Sequence, residues 1–293
     1  MSFSSQLYRI LVPKPIRRAI LHKQILQGIQ AHWSAHPELN TNPEWKEVIS
    51  FINHRGIETF PYPFIDAYKK ENIAVYYDNE IGFRYVMHEN KRLYFRKNWS
   101  VDRIQRSYRD LCMEQDVASP HRYLDSDFQV NGDTVLADFG AAEGNFSLSV
   151  VEKVKKIYLF ECDARWVEAL RHTFAPWMHK VEIIQRMVSD VNEGIHCTGD
   201  EYFKDKEINF LKIDVDGGEQ RLLKGFQHTL ATSQNLQIAL CTYHKHGDEQ
   251  EFTALLTQLH YQVRPSNGFM IFHYDKAIRS PYLRRALIRA TKN

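Results

Sequence analysis

The stretch Thr134-Val135-Leu136-Ala137-Asp138-Phe139-Gly140-Ala141-Ala142-Glu143-Gly144-Asn145-Phe146 decides how this chain is read. An apolar run ends in an acid and a glycine, and a loop with a second glycine leads into a new apolar segment. This is a strand, a tight turn and the start of a helix. Gly140 suits the turn, and Gly144 lets the helix begin near a ligand without a side chain in the way. The dinucleotide fingerprint needs glycines at the first, third and sixth places of its loop. Here they fall at the first and fifth, which disfavours a pyrophosphate. Asp138 would repel a diphosphate and welcome a cation.

The pattern continues outward. Phe146 to Val154 fits a helix, Ile157 to Phe160 a second strand, and Arg165 to Phe174 another helix. Val181 to Ile184, Ile208 to Ile213 and Leu236 to Cys241 are further strands, with Phe269 to His273 expected to close the series. Strands alternating with helices predict parallel β-α units with helices on both faces of the sheet. Ligands then bind beyond the carboxyl ends of the strands. Glu161 lies at such an end, about 20 residues past the first glycine, where an acid accepts both ribose hydroxyls of a nucleoside. Cys162 beside it reads as a small packed residue, and Met187 and Val188 past the third strand as the adenine side.

A nucleoside ligand with a positive charge and no phosphate is S-adenosylmethionine. The chain resembles the FkbM family of S-adenosylmethionine-dependent methyltransferases over roughly residues 131–275. The resemblance rests on Asp138 to Ser147, on Phe160-Glu161, on Met187-Val188-Ser189-Asp190 and on Leu211-Lys212-Ile213-Asp214-Val215-Asp216-Gly217-Gly218-Glu219 with Leu222-Leu223-Lys224-Gly225. Asp216 stands where the family usually has glutamate, and Cys241-Thr242-Tyr243-His244 lacks the acid many members carry. The resemblance implies a class I methyltransferase Rossmann-like fold, α/β, with a mostly parallel seven-stranded sheet. It also implies O-methylation, of a sugar in a surface polysaccharide or glycolipid precursor. The cofactor residues it gives are Asp138, Gly140, Ala141, Gly144, Asn145, Phe146, Glu161, Cys162, Met187 and Val188.

Methyl transfer to a hydroxyl needs an aligned oxygen and a base. Asp214 and His244, each following a strand, are the expected catalytic pair. His246, Asp216 and Glu219 lie near them in sequence, and Asp216 and Glu219 also suit the cap of the helix beginning near Gly218. Asp214, Asp216 and His244, with His246, form a weaker candidate site for a divalent metal. Two other readings stay open: a NAD-dependent oxidoreductase, and a non-catalytic nucleoside-binding module.

The 293 residues are 43% hydrophobic, 25% charged and 13% aromatic, ordinary values for a globular protein. Residues 1–130 read as an α+β accessory region, helical over 15–34 and over Pro43 to His54 with Asn42 as cap, then strands at Ile73 to Tyr77, Gly82 to Met87 and Arg92 to Arg96. Net charge is +2, but residues 1–37 and 276–293 hold cations and no acid, so the middle is acidic. That balance speaks against a nucleic-acid partner. Residues 276–293 read as a basic tail, and Tyr282 to Arg289 as a helix, either packed on the domain or touching an anionic membrane surface. Residues 1–30, broken by Pro13 and Pro15, do not read as a secretory signal. The four cysteines are far apart with no paired spacing, which favours a reducing cytoplasm over a disulfide framework.

Overall fold

A computed structural model describes residues 13–275 and 277–292. Residues 1–12 (with Arg9 and the start of the segment that does not read as a signal), Lys276 and Asn293 lie outside the described residues. No described helix is long and apolar enough to cross a membrane.

The expected β-α alternation is present. β4 (Val135–Phe139), β5 (Lys156–Phe160), β6 (Val181–Ile184), β9 (Phe210–Ile213) and β10 (Leu236–Cys241) are parallel neighbours in one sheet, while the short β7 (Met187–Val188) and β8 (His196–Cys197) pair apart from it. α4 (Asn145–Val150), α5 (Ala164–Thr173), α6 (Gly199–Phe203), α7 (Glu219–Lys224), α8 (Gln227–Thr232) and α9 (Asp248–Gln258) connect or flank them. Side chains alternate across the sheet. Leu136, Ile157, Leu159 and Phe210 join one core, while Ala137, Phe139, Tyr158, Phe160, Leu211 and Ile213 join another on the opposite face. Burial on both faces explains the uninterrupted apolar runs.

The sheet closes in a way the sequence reading missed. Its seventh strand is β12 (Leu287–Lys292), inserted antiparallel between β10 and β11 (Gln262–Pro265). The order is β11-β12-β10-β9-β4-β5-β6. A mostly parallel seven-stranded sheet with one reversed strand beside the edge is the class I methyltransferase fold. Phe269 to His273 forms no strand and contributes one isolated bridge, Met270 to Arg284. Of the expected tail 276–293, the described residues 277–292 are therefore no separate tail, the sheet extends past 275, and Tyr282 to Arg289 is no helix. Leu287, Ile288 and Ala290 are fully buried, and their alternation with cations belongs to a strand whose arginines are paired inside. Arg289 donates to the carbonyls of Tyr123 and Arg122 and lies 3.0 Å from Asp125. Arg284 reaches Asp275 at 2.5 Å, and Arg285 bonds Glu44. These three arginines are spent on internal partners and do not face an outside surface.

The accessory region packs on the first core. It comprises α1 (Lys14–Ala35), α2 (Pro43–Arg55), a meander of β1 (Tyr76–Asp78), β2 (Phe83–His88) and β3 (Lys91–Tyr94), and α3 (Val101–Glu114), which the sequence reading left out. Asn42 caps α2 by accepting from the amides of Glu44 and Trp45. Glu44, at the start of α2, accepts from Gly268 and Arg285. The Tyr62 hydroxyl accepts from the Phe269 amide.

Candidate functional site

The turn after β4 is fixed by contact with the neighbouring strand end. Gly140 has φ 74°, and a Cβ there would meet the Asp214 carbonyl at 2.0 Å. Glycine is required by both conformation and space. The parallel strand ends beside it, β5 and β9, leave a cavity of about 330 Å³ lined by Gly140, Glu161, Cys162, Met187, Val188, Asp214 and Asp216, together with Phe139, Phe160 and Tyr243. Seven sequence-predicted residues thus come together at one place.

Glu161 is held rather than free to swing. Its Oε2 accepts from the Ala142 amide at 3.0 Å and its Oε1 from the Asp163 amide at 2.7 Å. Those bonds tie the strand-end carboxylate to the glycine turn. Phe139, Phe160, Val188 and Met187 supply apolar walls beside it, with Met187 40% exposed.

Five expected cofactor residues do not line this cavity. Asp138 is 1% exposed; it lies 2.9 Å from the Lys212 ammonium and accepts from the Ser147 hydroxyl at 2.7 Å. Its charge is neutralised internally, so it cannot attract a ligand. Gly144 is small for another reason than ligand approach: a Cβ there would strike Leu170 of α5 and Phe174 just past its end. Ala141 and Phe146 are packed in the core, Phe146 with its ring 5.0 Å from that of Tyr123. Asn145 begins α4 outside the cavity lining.

Asp214 is the centre of a polar cluster. It accepts from the Tyr123 hydroxyl at 2.8 Å and the Tyr243 hydroxyl at 3.1 Å. His121 and His244 stand 3.7 and 3.6 Å from its oxygens. Burial works against ionisation, but Lys212, His121 and His244 outweigh it and hold the Asp214 carboxyl below the usual carboxylate range. Lys212 itself donates to the Gly140 and Phe139 carbonyls. Burial alone would lower its pKa, yet Asp138 and Asp214 push it up.

His244 is 3.0 Å from Glu219 through Nδ1. Burial opposes its charge, but Asp216, Glu219 and Asp214 raise its pKa to about 10. An imidazole already protonated near neutrality accepts no further proton, so the base expected at His244 is corrected to a buried cation. Asp214 is likewise a weak base, because its anion is so well satisfied. Glu219 does more than cap α7: it accepts from the amides of Val215 and Gly217 and fixes the loop after β9. Asp216 has φ 52° and a fully exposed side chain. His246 is exposed, apart from the cluster.

Donor atoms of Asp214, Glu219 and His244 converge, as do those of His121, Asp214 and Cys241. In the first group a protonated His244 already occupies the place between the carboxylates, and in both groups tyrosine hydroxyls occupy both Asp214 oxygens. The donor set fits an ion-pair network better than a metal centre.

Lys212, Tyr243 and Tyr123 carried no role in the sequence reading. A lysine inside an apolar strand was a usable signal, since a buried cation demands a carboxylate. Tyr123 gave none, because it reaches Asp214 across 91 positions from an irregular segment.

No family model matches the chain, and no curated protein matches it. Solved structures do resemble it. A methyltransferase FkbM from Methylobacillus flagellatus KT is 15% identical over 67% of this chain and 56% of that one, with a TM-score of 0.44. The chain thus spans little more than half that protein's length. TrmK from M. capricolum, solved with S-adenosyl-homocysteine, is 16% identical over 58% of this chain and 70% of that one, TM-score 0.38. An rRNA methylase from Streptococcus thermophilus is 12% identical over 56% and 89%, TM-score 0.38. These likenesses concern the fold, and membership of the FkbM family does not follow from them. They do correct one expectation: because structures of this fold include an rRNA methylase, an acidic body with basic ends is no ground for excluding nucleic acid.

Proposed function

We propose that the chain is an S-adenosylmethionine-dependent methyltransferase. The observation that carries this reading is the cavity at the ends of β4, β5 and β9, where an amide-held Glu161 faces an apolar slot. Glu161 would accept the ribose hydroxyls, while Phe160, Met187 and Val188 would flank the adenine. Glu161 and the exposed Asp216, acids on the cavity lining, take over the role first given to Asp138 and favour a sulfonium. A pyrophosphate would face Glu161, Asp214 and Asp216, which argues against the oxidoreductase. Catalysis would come chiefly from aligning the acceptor with the methyl group.

The resemblance in the motifs from Asp138 to Gly225 favours a hydroxyl acceptor on a sugar of a polysaccharide or glycolipid precursor. The test is transfer of tritium from methyl-labelled S-adenosylmethionine to a saccharide pool, beside absorbance change with NAD. Label transfer supports the reading, and NAD turnover without label transfer overturns it.

A further inference from the structure

The acidic middle of the chain is not acidic throughout. Residues 84–109 hold eight lysines and arginines against two acids, Glu89 and Asp102. Five of the eight have carboxylate partners: Lys91 with Glu152, Arg92 with Asp78, Arg96 with Asp163, Arg106 with Asp102 and Arg109 with Asp110. Arg84, Lys97 and Arg103 form no ion pair among the described residues. They lie on rings instead: the Arg84 guanidinium 5.3 Å from the centre of Tyr77, the Lys97 ammonium 5.6 Å from that of Phe83, and the Arg103 guanidinium 4.0 Å from that of Trp99.

The three belong to one surface, at the meander and the start of α3. Arg84 also donates to the Trp99 carbonyl at 3.4 Å, so Tyr77, Arg84, Trp99 and Arg103 touch in series. A Cβ on Gly82 would lie 3.6 Å from the Tyr77 hydroxyl and 3.7 Å from Cε of Lys97, which puts Lys97 at the other end of the row. Tyr77 is 53% exposed. Lys97 and Arg103 are exposed, and Arg84 and Trp99 half-buried. Stacking on a ring takes one flat face of a guanidinium and leaves its in-plane N–H donors for a partner. Neighbouring acids do not cancel this charge. Asp102 is held by Lys70 and Arg106, and Asp78 by Arg92 and the Tyr94 hydroxyl. Glu80, in the turn after β1, is left against three cations.

We infer that this row is a docking surface for single-stranded nucleic acid, with Arg84, Lys97 and Arg103 on phosphates and Tyr77 and Trp99 stacking on bases. Cations interleaved with rings match a polymer that alternates charge with flat apolar faces. Bases in a duplex already stack on one another, so the rings select an unpaired strand. A carboxylated glycan shares the charge, but its hydroxyls need acceptors, and Asp78 and Asp102 are already engaged. Summed over the whole middle of the chain, the basic run disappears into the acidic balance. The inference goes beyond the methyltransferase reading and does not use the first cavity.

Fluorescence anisotropy of labelled oligouridylate and oligothymidylate with the full chain provides the test, with polygalacturonate and a DNA duplex as competitors. Both strands should bind, and log Kobs should fall against log[KCl] with a slope of about −2, about 0.7 for each of three neutralised phosphates. Arg84→Gln, Lys97→Gln and Arg103→Gln should each take about 0.7 off that slope. Tyr77→Ala should weaken binding about tenfold and leave the slope unchanged. Should Arg84→Gln fail to fold, the exposed Lys97 and Arg103 still carry the measurement. No binding of either strand, a slope indifferent to these cations, or affinity indifferent to Tyr77 overturns the proposal, as does tighter binding of polygalacturonate or the duplex. Failure of S-adenosylhomocysteine to bind the unaltered chain would sink the methyltransferase reading instead and leave this surface standing.

Discussion

Asp138 and His244 show how a residue's neighbours reassign it. Both are charged groups at strand ends, and both read from sequence as ligand-facing or reactive. Asp138 instead neutralises Lys212, and removing one partner of a buried pair leaves an uncompensated charge. Asp138→Asn should therefore cost roughly 3–5 kcal/mol, read as a lowered denaturation midpoint. His244 has a folded-state pKa of about 10 against an ordinary 6.5. The stability it contributes is full below pH 6.5 and is lost as pH rises through about 10. Denaturation midpoints should fall across that interval, and His244→Gln should flatten the decline. An equally steep decline in the variant would refute the assignment.

At the scale of elements, the parallel strands were legible because burial on both faces leaves continuous apolar runs, and Val181–Ile184 and Leu236–Cys241 fall where the pattern put them. Glu161 and Asp214 were legible for the same reason, since the fold gathers strand ends. The closing strand was not. Arg284, Arg285 and Arg289 gave Tyr282 to Arg289 the look of an amphipathic helix, and their partners, Asp275, Glu44 and Asp125, lie far off in sequence or in loops. α3 was missed too, although Ser100 caps it by accepting from the Arg103 amide, because only Ile104 on it is deeply buried and its apolar stripe is thin. Ile288 sits at the middle of β12 with no exposure. Ile288→Ala should destabilise by about 2–5 kcal/mol in chemical denaturation, whereas a frayed tail would show almost no change.

For the whole molecule, the accessory region and the sheet share one core. Ile25, Ile29, Val48 and Ile52 of the two N-terminal helices belong to the same apolar cluster as Leu136, Ile157 and Leu287 of the sheet. Glu44 to Arg285 and Tyr62 to Phe269 tie the ends together. A fragment of residues 131–275 would lack β12 and lose the cover on one face of the sheet. It should show no cooperative thermal transition, while the full chain does; a cooperative fragment would mean that the accessory region is dispensable for folding.

The central claim concerns what the first cavity takes up, and calorimetry on the full chain measures it directly. The account predicts clear heat with S-adenosylhomocysteine, at least tenfold weaker binding in Glu161→Ala, and none with NAD. Uptake of NAD with no heat from S-adenosylmethionine or S-adenosylhomocysteine would contradict it.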